Sequence, residues 1–588
     1  MPIVINELTG MPEPDQNPGG GGPAQGIWMD RVSLTLDGEL LPNVHVESFT
    51  CEEAMSTLYR LEVEFTFDAS SGEPVQGGSY RPDSFLGRRL ALRVSRLERE
   101  RYYCGIVTHF AGERPMGCYA NWPYHRVRLT VMPQVWVLTQ NVCSRVMSRD
   151  DSTRDLMTQI FSQPPYINYD LNVSSYEKRM RVQYEESDFH FLARTCEEMG
   201  IFYFFDQPGV NGERIIFGDG VTAYRTRDSS AYAGDFMSFP WEDRQEMCPW
   251  VHGSVGYDFV VGSADESSVR TTRWNQATSA TQFRYERVPD NAAAFSTCDH
   301  QARLRMETSE WGAAVYTGEG NAFELMPGFF LPCAGLGGDV VMVSVHHEYS
   351  DRLGYRNHFT CIPRDTVFRP PRTTPRPTIA GTQTAVVKDE WDPEAMGRVS
   401  IEFFWDRSPY KQTCWTRVSQ PWAGKDYGAY FPPQIGDEVV VSFLDGDPAQ
   451  PVIVGRVYNG KCNDQHSEAH LSGWIAVNGA KIEVDHRDSD GKGIRLMQPS
   501  GNLVKIADSG SIRIEHFSGS VIELDVTGAI HVQATTRVRM DAPEVDISAG
   551  SVKINAGIVK CSGVVKCDTL ISNSVISASY TPGAGNIW

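Results

Sequence analysis

Beyond Lys461 the chain becomes repetitive. Apolar residues recur at alternate positions: Ile482/Val484, Ile494/Leu496, Val504/Ile506, Ile512/Ile514, Ile522/Leu524/Val526, Ile530/Val532, Val538/Met540, Val545/Ile547 and Val552/Ile554. Gly, Asp, Ser or Asn often stand between them, and no helical spacing interrupts. Residues two apart on a strand share a face, so each group marks a short strand with one apolar side. Such strands have little in their own chain to cover that side. The apolar faces must be stacked repeat on repeat, as in a single-chain β-helix, or turned inward by three chains, as in a β-prism. Residues 461–588 are therefore expected to form a repetitive β-spike, with the trimer preferred.

The rest of the chain reads as further domains. Residues 1–26 are rich in Pro, Gly, Asp and Asn and end in Gly19–Gly22, a composition expected to be flexible. Residues 27–370 read mostly as strands. Leu61–Phe67, Leu90–Val94 and Val127–Val131 alternate apolar and polar residues. Two helices are expected among them. One follows the short polar run Asp150–Thr153 and carries Leu156, Ile160 and Phe161 on one face. The other follows Ser187 and stops at Gly200, before the apolar strand Ile201–Phe205. Four prolines between Phe368 and Pro377 cannot join a helix or a central strand, so residues 371–380 read as a linker. Residues 381–460 hold Val399–Phe403, Trp415–Val418, Glu438–Phe443 and Val452–Val454, short strands split by turns, as in an OB-fold.

Charge narrows the function classes. The net charge is −20, with 74 acidic residues against 54 basic ones and no basic stripe, which argues against a nucleic-acid partner. The spike region holds 12 Lys and Arg against 14 Asp and Glu, so nearly all the excess acid lies upstream. The 13 cysteines include no CxxC pair and point to isolated thiols rather than a disulfide framework. The N-terminus lacks the basic start and apolar run of a secretory signal, and no apolar stretch is long enough to span a bilayer. Folding in the cytoplasm, with export by other machinery, is the expectation.

No catalytic motif stands out. His346-His347-Glu348 lacks the HExxH spacing and lies in a strand-like run, where adjacent histidines face opposite sides. Asp488–Gly493 superficially suggests a calcium loop, but Met497 stands where the bidentate Glu belongs, so a hairpin turn fits better. Asp445-Gly446-Asp447-Pro448 reads as a turn between strands. Trp405, Trp415, Trp422 and Tyr427 offer stacking surfaces, but in mixed rather than basic surroundings. Only about twenty residues separate Tyr458 from Lys481, too few for an inserted enzyme domain. Neither enzymatic activity, a metal nor a cofactor is expected.

One ordered string is more specific. It runs Gly397–Asp406, Cys414–Gly424, Gly428–Val439, Phe443–Pro448 and Pro451–Asn459. It contains Trp405, Trp415, Pro421, Trp422, Gly424, Gly436, Asp445, Gly446, Asp447, Pro448 and Gly455. With Gln183–Leu192, Glu197–Phe204, Pro133–Leu138 and Pro377–Val387, it resembles the VgrG family of type VI secretion spike proteins over about residues 28–500. The resemblance implies a mainly β protein. Two barrel-like hub subdomains with a few helices would lead to an OB-fold neck and a C-terminal trimeric β-prism or β-helix spike. It also implies a homotrimer docked on the Hcp tube hexamer beside baseplate proteins. A PAAR-type cap and effectors would sit at the spike tip, and the spike would pass transiently through a target membrane. Tyr580, Pro582, Asn586, Ile587 and Trp588 are the residues expected to touch that cap. The sequence ends without the appended enzyme of some family members, so their activities are not carried over. The spike of a contractile phage tail or phage-like injection particle is the alternative within this class, and a trimeric adhesin is the alternative outside it.

Overall fold

The computed structural model describes residues 30–578 except 69–81, 114–123, 149, 164–166, 175–177, 179, 227–240, 250, 271–283, 288–294, 334–337, 408–411, 463–468 and 488–491. The N-terminal tail, the acidic turn at 488–491 and the expected tip residues Tyr580–Trp588 thus lie outside the described residues. The chain divides into two compact units, Met1–Asn463 and Asp464–Trp588.

The first unit is organised by a 13-stranded sheet. One half runs from Val44–Ala54 through Arg60–Asp68, Tyr124–Met132, Arg99–Glu113 and Arg89–Arg96 to Arg31–Leu36 and Glu39–Leu40. The other runs from Gly338–Ser350 through Gly354–Pro363 and Ala314–Gly320 to Trp241–Gln245. The halves join where Gly338–Ser350 pairs antiparallel with Val44–Ala54. The alternation in Leu61–Phe67 has the expected effect: Leu61, Val63, Phe65 and Phe67 are buried, with Phe49, Leu92, Tyr103 and Leu129. The second half has cores around Phe329, Val341 and Ile362 and around Leu331, Val345 and Phe359.

Both expected helices form, and their caps show why. In Thr153–Phe161 the Ser152 hydroxyl accepts from the Asp155 amide at 3.2 Å, and Asp155 accepts from the Ser152 amide at 3.0 Å. In Asp188–Met199 the Ser187 hydroxyl accepts from the His190 amide at 3.1 Å, and Gly200 closes the helix at φ 69°. A third helix, Phe295–Gly312, corrects the expectation of two. Its buried Cys298, Ala302, Leu304 and Met306 make no clean apolar stripe. Packing against strands Val251–Asp258 and Ser263–Arg270 supports it instead.

The proline segment is fastened to the head. Arg369 Nη1 donates to the carbonyls of Gly200 and Asp219, both at 2.8 Å. Trp311 Nε1 donates to the Arg369 carbonyl at 2.7 Å. Tyr224 Oη accepts from the Phe368 amide at 2.8 Å.

Residues 383–457 close into a five-stranded barrel in the order Gln383–Asp389, Val399–Phe403, Cys414–Val418, Pro451–Val457 and Glu438–Phe443. Its interior is Ala385, Val387, Val399, Ile401, Phe403, Val439, Val441 and Ile453, and it shares a hydrophobic cluster with Val146 and Val182 of the head.

In the second unit, Leu471–Ile475, Lys481–Asp485, Gly493–Met497, Leu503–Ala507, Ile512–Glu515, Val521–Leu524 and Ile530–Gln533 form one sheet. Each pairs antiparallel with the next. A single-chain β-helix would instead stack parallel strands, and none is found among the described residues of this unit. The pairs expected at Val538/Met540, Val545/Ile547 and Val552/Ile554 are not strands within the single chain. Residues 534–578 are wholly exposed and without ladder partners in it.

Candidate functional site

The sheet's register sorts its side chains onto two chemically distinct faces. Ile482 stands opposite Leu496 and Val484 opposite Ile494. The series continues with Ile494 and Ile506, Leu496 and Val504, Val504 and Ile514, and Ile506 and Ile512. It ends with Ile512 and Leu524, Ile514 and Ile522, Ile522 and Val532, and Leu524 and Ile530. All these lie on one face, a double row of β-branched and leucine side chains. The other face carries Glu483, Arg495, Lys505, Arg513, Glu523 and His531 in one cross-strand row. Arg513 ties that row together, with Nη1 2.9 Å from Glu523 and Nε 3.1 Å from Glu515.

The apolar face is uncovered in the single chain. Ile494 and Ile522 are each 44% exposed, Ile514 47% and Val532 57%. Isolated surface leucines mean little, but a continuous apolar face of this kind marks an interface. Repeated turns hold the register. Ala476–Ala480, Gln498–Asn502, Ala507–Ser511, His516–Ser520 and Asp525–Ala529 each close with a backbone bond from first to last residue. Each places a glycine, Gly479, Gly501, Gly510, Gly519 or Gly528, at φ between 81° and 97°, where a side chain would be strained.

The barrel residues of the recognised string have structural duties. Trp405 stacks on Phe403 at 4.8 Å, meets Tyr184 edge-on at 5.3 Å and donates from Nε1 to Gln383 at 2.5 Å. Trp415 is half-buried on its strand. Pro421, Trp422 and Gly424 belong to an exposed hairpin in which Trp422 contacts Tyr427 at 5.6 Å. A Cβ on Gly424 would collide with the Tyr427 ring. Gly436 (φ 94°) donates to the Val387 carbonyl. Asp445 and Gly446 turn the chain at φ 52° and 73°, Asp447 accepts from the Ala449 amide at 2.9 Å, and Pro448 is buried. Gly455 flanks a bulge in the ladder between Glu438–Phe443 and Pro451–Val457.

The head contains a buried polar network that sequence reading missed. His346 and His347 do face opposite sides of Gly338–Ser350, and His347 is the buried one. Its Nε2 lies 3.0 Å from Glu53 Oε2, and its Nδ1 lies 3.1 Å from Tyr103 Oη and also contacts Tyr355 Oη. Arg101 donates to Glu53 at 2.5 Å and to the Leu325 carbonyl. Burial pushes His347 down to about 4, against the Glu53 hydrogen bond, so the ring is neutral at physiological pH. Burial alone would raise Glu53, but the Arg101 charge and the His347 contact hold it below the usual carboxylate range. Arg101 and His347 are fully buried and with Glu53 tie the sheet halves together, although Arg101 Nε is left without a hydrogen-bond partner. No local motif unites residues 53, 101 and 347, so nothing in the linear sequence could have found it.

Comparison with known proteins follows the same division. The phage tail baseplate hub (GPD) family model matches residues 52–353, and the type VI secretion system/phage-baseplate injector OB domain matches residues 383–458. The chain is 29% identical over 486 residues to the type VI secretion system spike protein VgrG1c of Pseudomonas aeruginosa, covering 75% of this chain and 65% of that one. It is 28% identical to VgrG1b of the same organism, covering 74% and 61%. It thus spans slightly less than two thirds of these relatives' length. Among solved structures, the Escherichia coli c3393 protein, a type VI secretion component similar to T4 tail proteins gp27 and gp5, aligns at TM-score 0.50 and 20% identity. That alignment covers 72% of this chain and 99% of c3393. A chain of the lidded Francisella PdpA-VgrG complex aligns at TM-score 0.57 and 10% identity, covering 83% and 80%.

Proposed function

Because the chain belongs to the phage tail baseplate hub (GPD) family and carries the injector OB domain behind its hub region, we propose that it is a homotrimeric hub and spike of a type VI secretion apparatus. The observation that carries this reading is the uncovered apolar face of the 471–533 sheet. Three copies turning that face inward would remove it from water. At ~25 cal/mol per Å² of apolar surface, such burial is a strong drive to associate. Strands beyond Gln533 would find their hydrogen-bond partners in neighbouring chains, leaving no open edge to peel.

In this reading the work is mechanical. Contraction would drive a tube forward, and a stiff needle at its front would breach the target envelope. The head would dock on the Hcp hexamer beside baseplate proteins, and the spike tip would take a PAAR-type cap and effectors. The chain would be folded in the cytoplasm and exported by the apparatus. No described helix is long and apolar enough to cross a membrane. The hub region matches a phage baseplate model as well, so a phage-tail spike is the second reading. The hub and injector barrel disfavour an adhesin, which needs neither.

The chain acts without catalysis of its own on this reading. The relatives include an actin cross-linking toxin, VgrG1 of Vibrio cholerae, matched over only 33% of that protein. Light scattering of the full chain in solution tests the proposal. A trimer that resists heat and detergent supports it, and a stable monomer overturns it. Turnover of peptidoglycan, lipid or nucleotide substrates would overturn the non-catalytic part.

A further inference from the structure

We propose that the head domain carries a divalent transition-metal site on the exposed face of its large sheet, with His346 and His358 as its imidazole ligands. His346, on Gly338–Ser350, stands directly opposite His358, on Gly354–Pro363. Residues so paired have Cβ atoms about 4.5–5.5 Å apart on one face, close enough for two imidazoles to take one ion. The row continues on both sides. Glu52 is opposite His346 on the next strand, and Glu319 is opposite His358. Four strands thus present carboxylate, imidazole, imidazole and carboxylate in line.

Each imidazole is braced by a carboxylate. His346 Nε2 lies 3.0 Å from Glu348 Oε1, and His358 Nδ1 lies 3.3 Å from Glu319 Oε1. Carboxylates that engage one ring nitrogen fix the ring and raise the basicity of the other, the usual support behind a metal-binding histidine. The ligand atoms are then Nδ1 of His346 and Nε2 of His358. The histidine side chains are 36% and 45% exposed, so a hydrated ion can reach them. With Glu52, Glu242 and Glu319 they line an open groove of about 800 Å³ whose walls hold no Lys or Arg. Two cations stand nearby: Arg356 is engaged by Glu348 at 2.7 Å, and Arg60, opposite Glu52 on the next strand, by Glu62 at 2.5 Å.

Among the described residues no three such side chains are already gathered around a point. The two imidazoles therefore chelate first, and water, or Glu52 after a rotamer change, completes the shell. Imidazole with optional carboxylate suits zinc, nickel or copper rather than magnesium or calcium. An ion held there cross-links two strands beside the seam where the halves of the sheet meet. Because it binds only the folded arrangement, it stabilises the head.

The test uses the untagged full chain in a non-chelating buffer. Calorimetric titration with zinc or nickel chloride is expected to show one ion per chain at micromolar affinity, and thermal unfolding is expected to shift upward. H346Q and H358Q, each checked for unchanged assembled mass, should weaken binding about tenfold or more. E319Q should weaken it less, and calcium should give no response. No zinc or nickel binding, or stoichiometric binding that survives H358Q unchanged, overturns the proposal. Because neither titration nor melting reads secretion, the outcome is independent of the spike assignment.

Discussion

Glu197 and Thr374 are bound twice: the Glu197 carboxylate accepts from the Thr374 amide at 3.0 Å and from its hydroxyl at 2.7 Å. Glu197 lies near the end of the 188–199 helix and also accepts from the Thr373 amide at 3.0 Å. The proline segment that reads in the sequence as a linker is thereby a strap lying against the head. Substituting E197A removes the acceptor of two amides and two hydroxyls, a loss of about 2 kcal/mol. Limited proteolysis should then cut within residues 370–380 faster than in the parent chain. An unchanged cleavage rate would show that Arg369 and Phe368 hold the strap without it.

Asp392 and Arg398 form a second clamp, at the turn before barrel strand Val399–Phe403. Asp392 accepts from the amides of Glu394, Met396 and Arg398 and from the Arg398 guanidinium at 2.8 Å. The guanidinium is nearly inaccessible. Its hydrogen bonds hold the Asp392 carboxyl well below the usual carboxylate range. D392N leaves the buried guanidinium with Glu394 alone, 3.2 Å away, as its counter-charge, at a cost of about 2 kcal/mol. A depressed carboxyl stabilises the fold above its unfolded value and loses that contribution as pH falls below about 3.8. The gap between parent and variant in denaturant midpoint should therefore be wide at neutral pH and narrow at pH near 3.

Glu213 works with the opposite sign. Its Oε1 accepts from the Gln134 amide at 2.8 Å, and burial pushes its carboxyl up to about 7 from an ordinary 4.5. The folded head therefore holds a proton that the unfolded chain releases. Its contribution is fully present below about 4.5 and is lost as pH rises through about 7. E213Q keeps the acceptor and removes the ionisation. It should be more stable than the parent at pH 8, by on the order of 3 kcal/mol, with the advantage gone near pH 5. Thermal melts across that range decide it. A constant difference would mean that Glu213 does not titrate there.

Ile514 and Ile522 stand opposite one another in the middle of the uncovered face. I514D would place a carboxylate where three chains are proposed to meet, and desolvating it should abolish assembly. K505S, on the charged face, should leave assembly intact. Light scattering of both variants separates the faces, and equal effects would remove the basis for choosing the apolar face as the contact.

Local grammar carried much of the fold. The short polar run Asp150–Thr153, Ser187 and Gly200 announced both helices because capping depends on neighbours a few residues apart. The barrel strands and their turn at Asp445–Pro448 were legible for the same reason. The helix Phe295–Gly312 was not, because its burial comes from a sheet it packs against rather than from a stripe of its own. The Glu53, Arg101 and His347 network was equally silent, as was the alignment of His346 with His358, since register between strands is not written at either position.

By itself, then, the sequence determined the alternation that makes the 471–533 sheet apolar on one side, the glycines that turn it, and the hub and barrel string that marks the family. Those are short-range properties, set by side-chain size, polarity and backbone freedom. Only the tertiary structure decided which strands are neighbours, that the proline segment is strapped down, which histidine is buried and which faces a groove, and that residues 534–578 join no strand ladder in their own chain. Each depends on contacts between distant segments, where pairing register and packing, rather than local preference, set the energy.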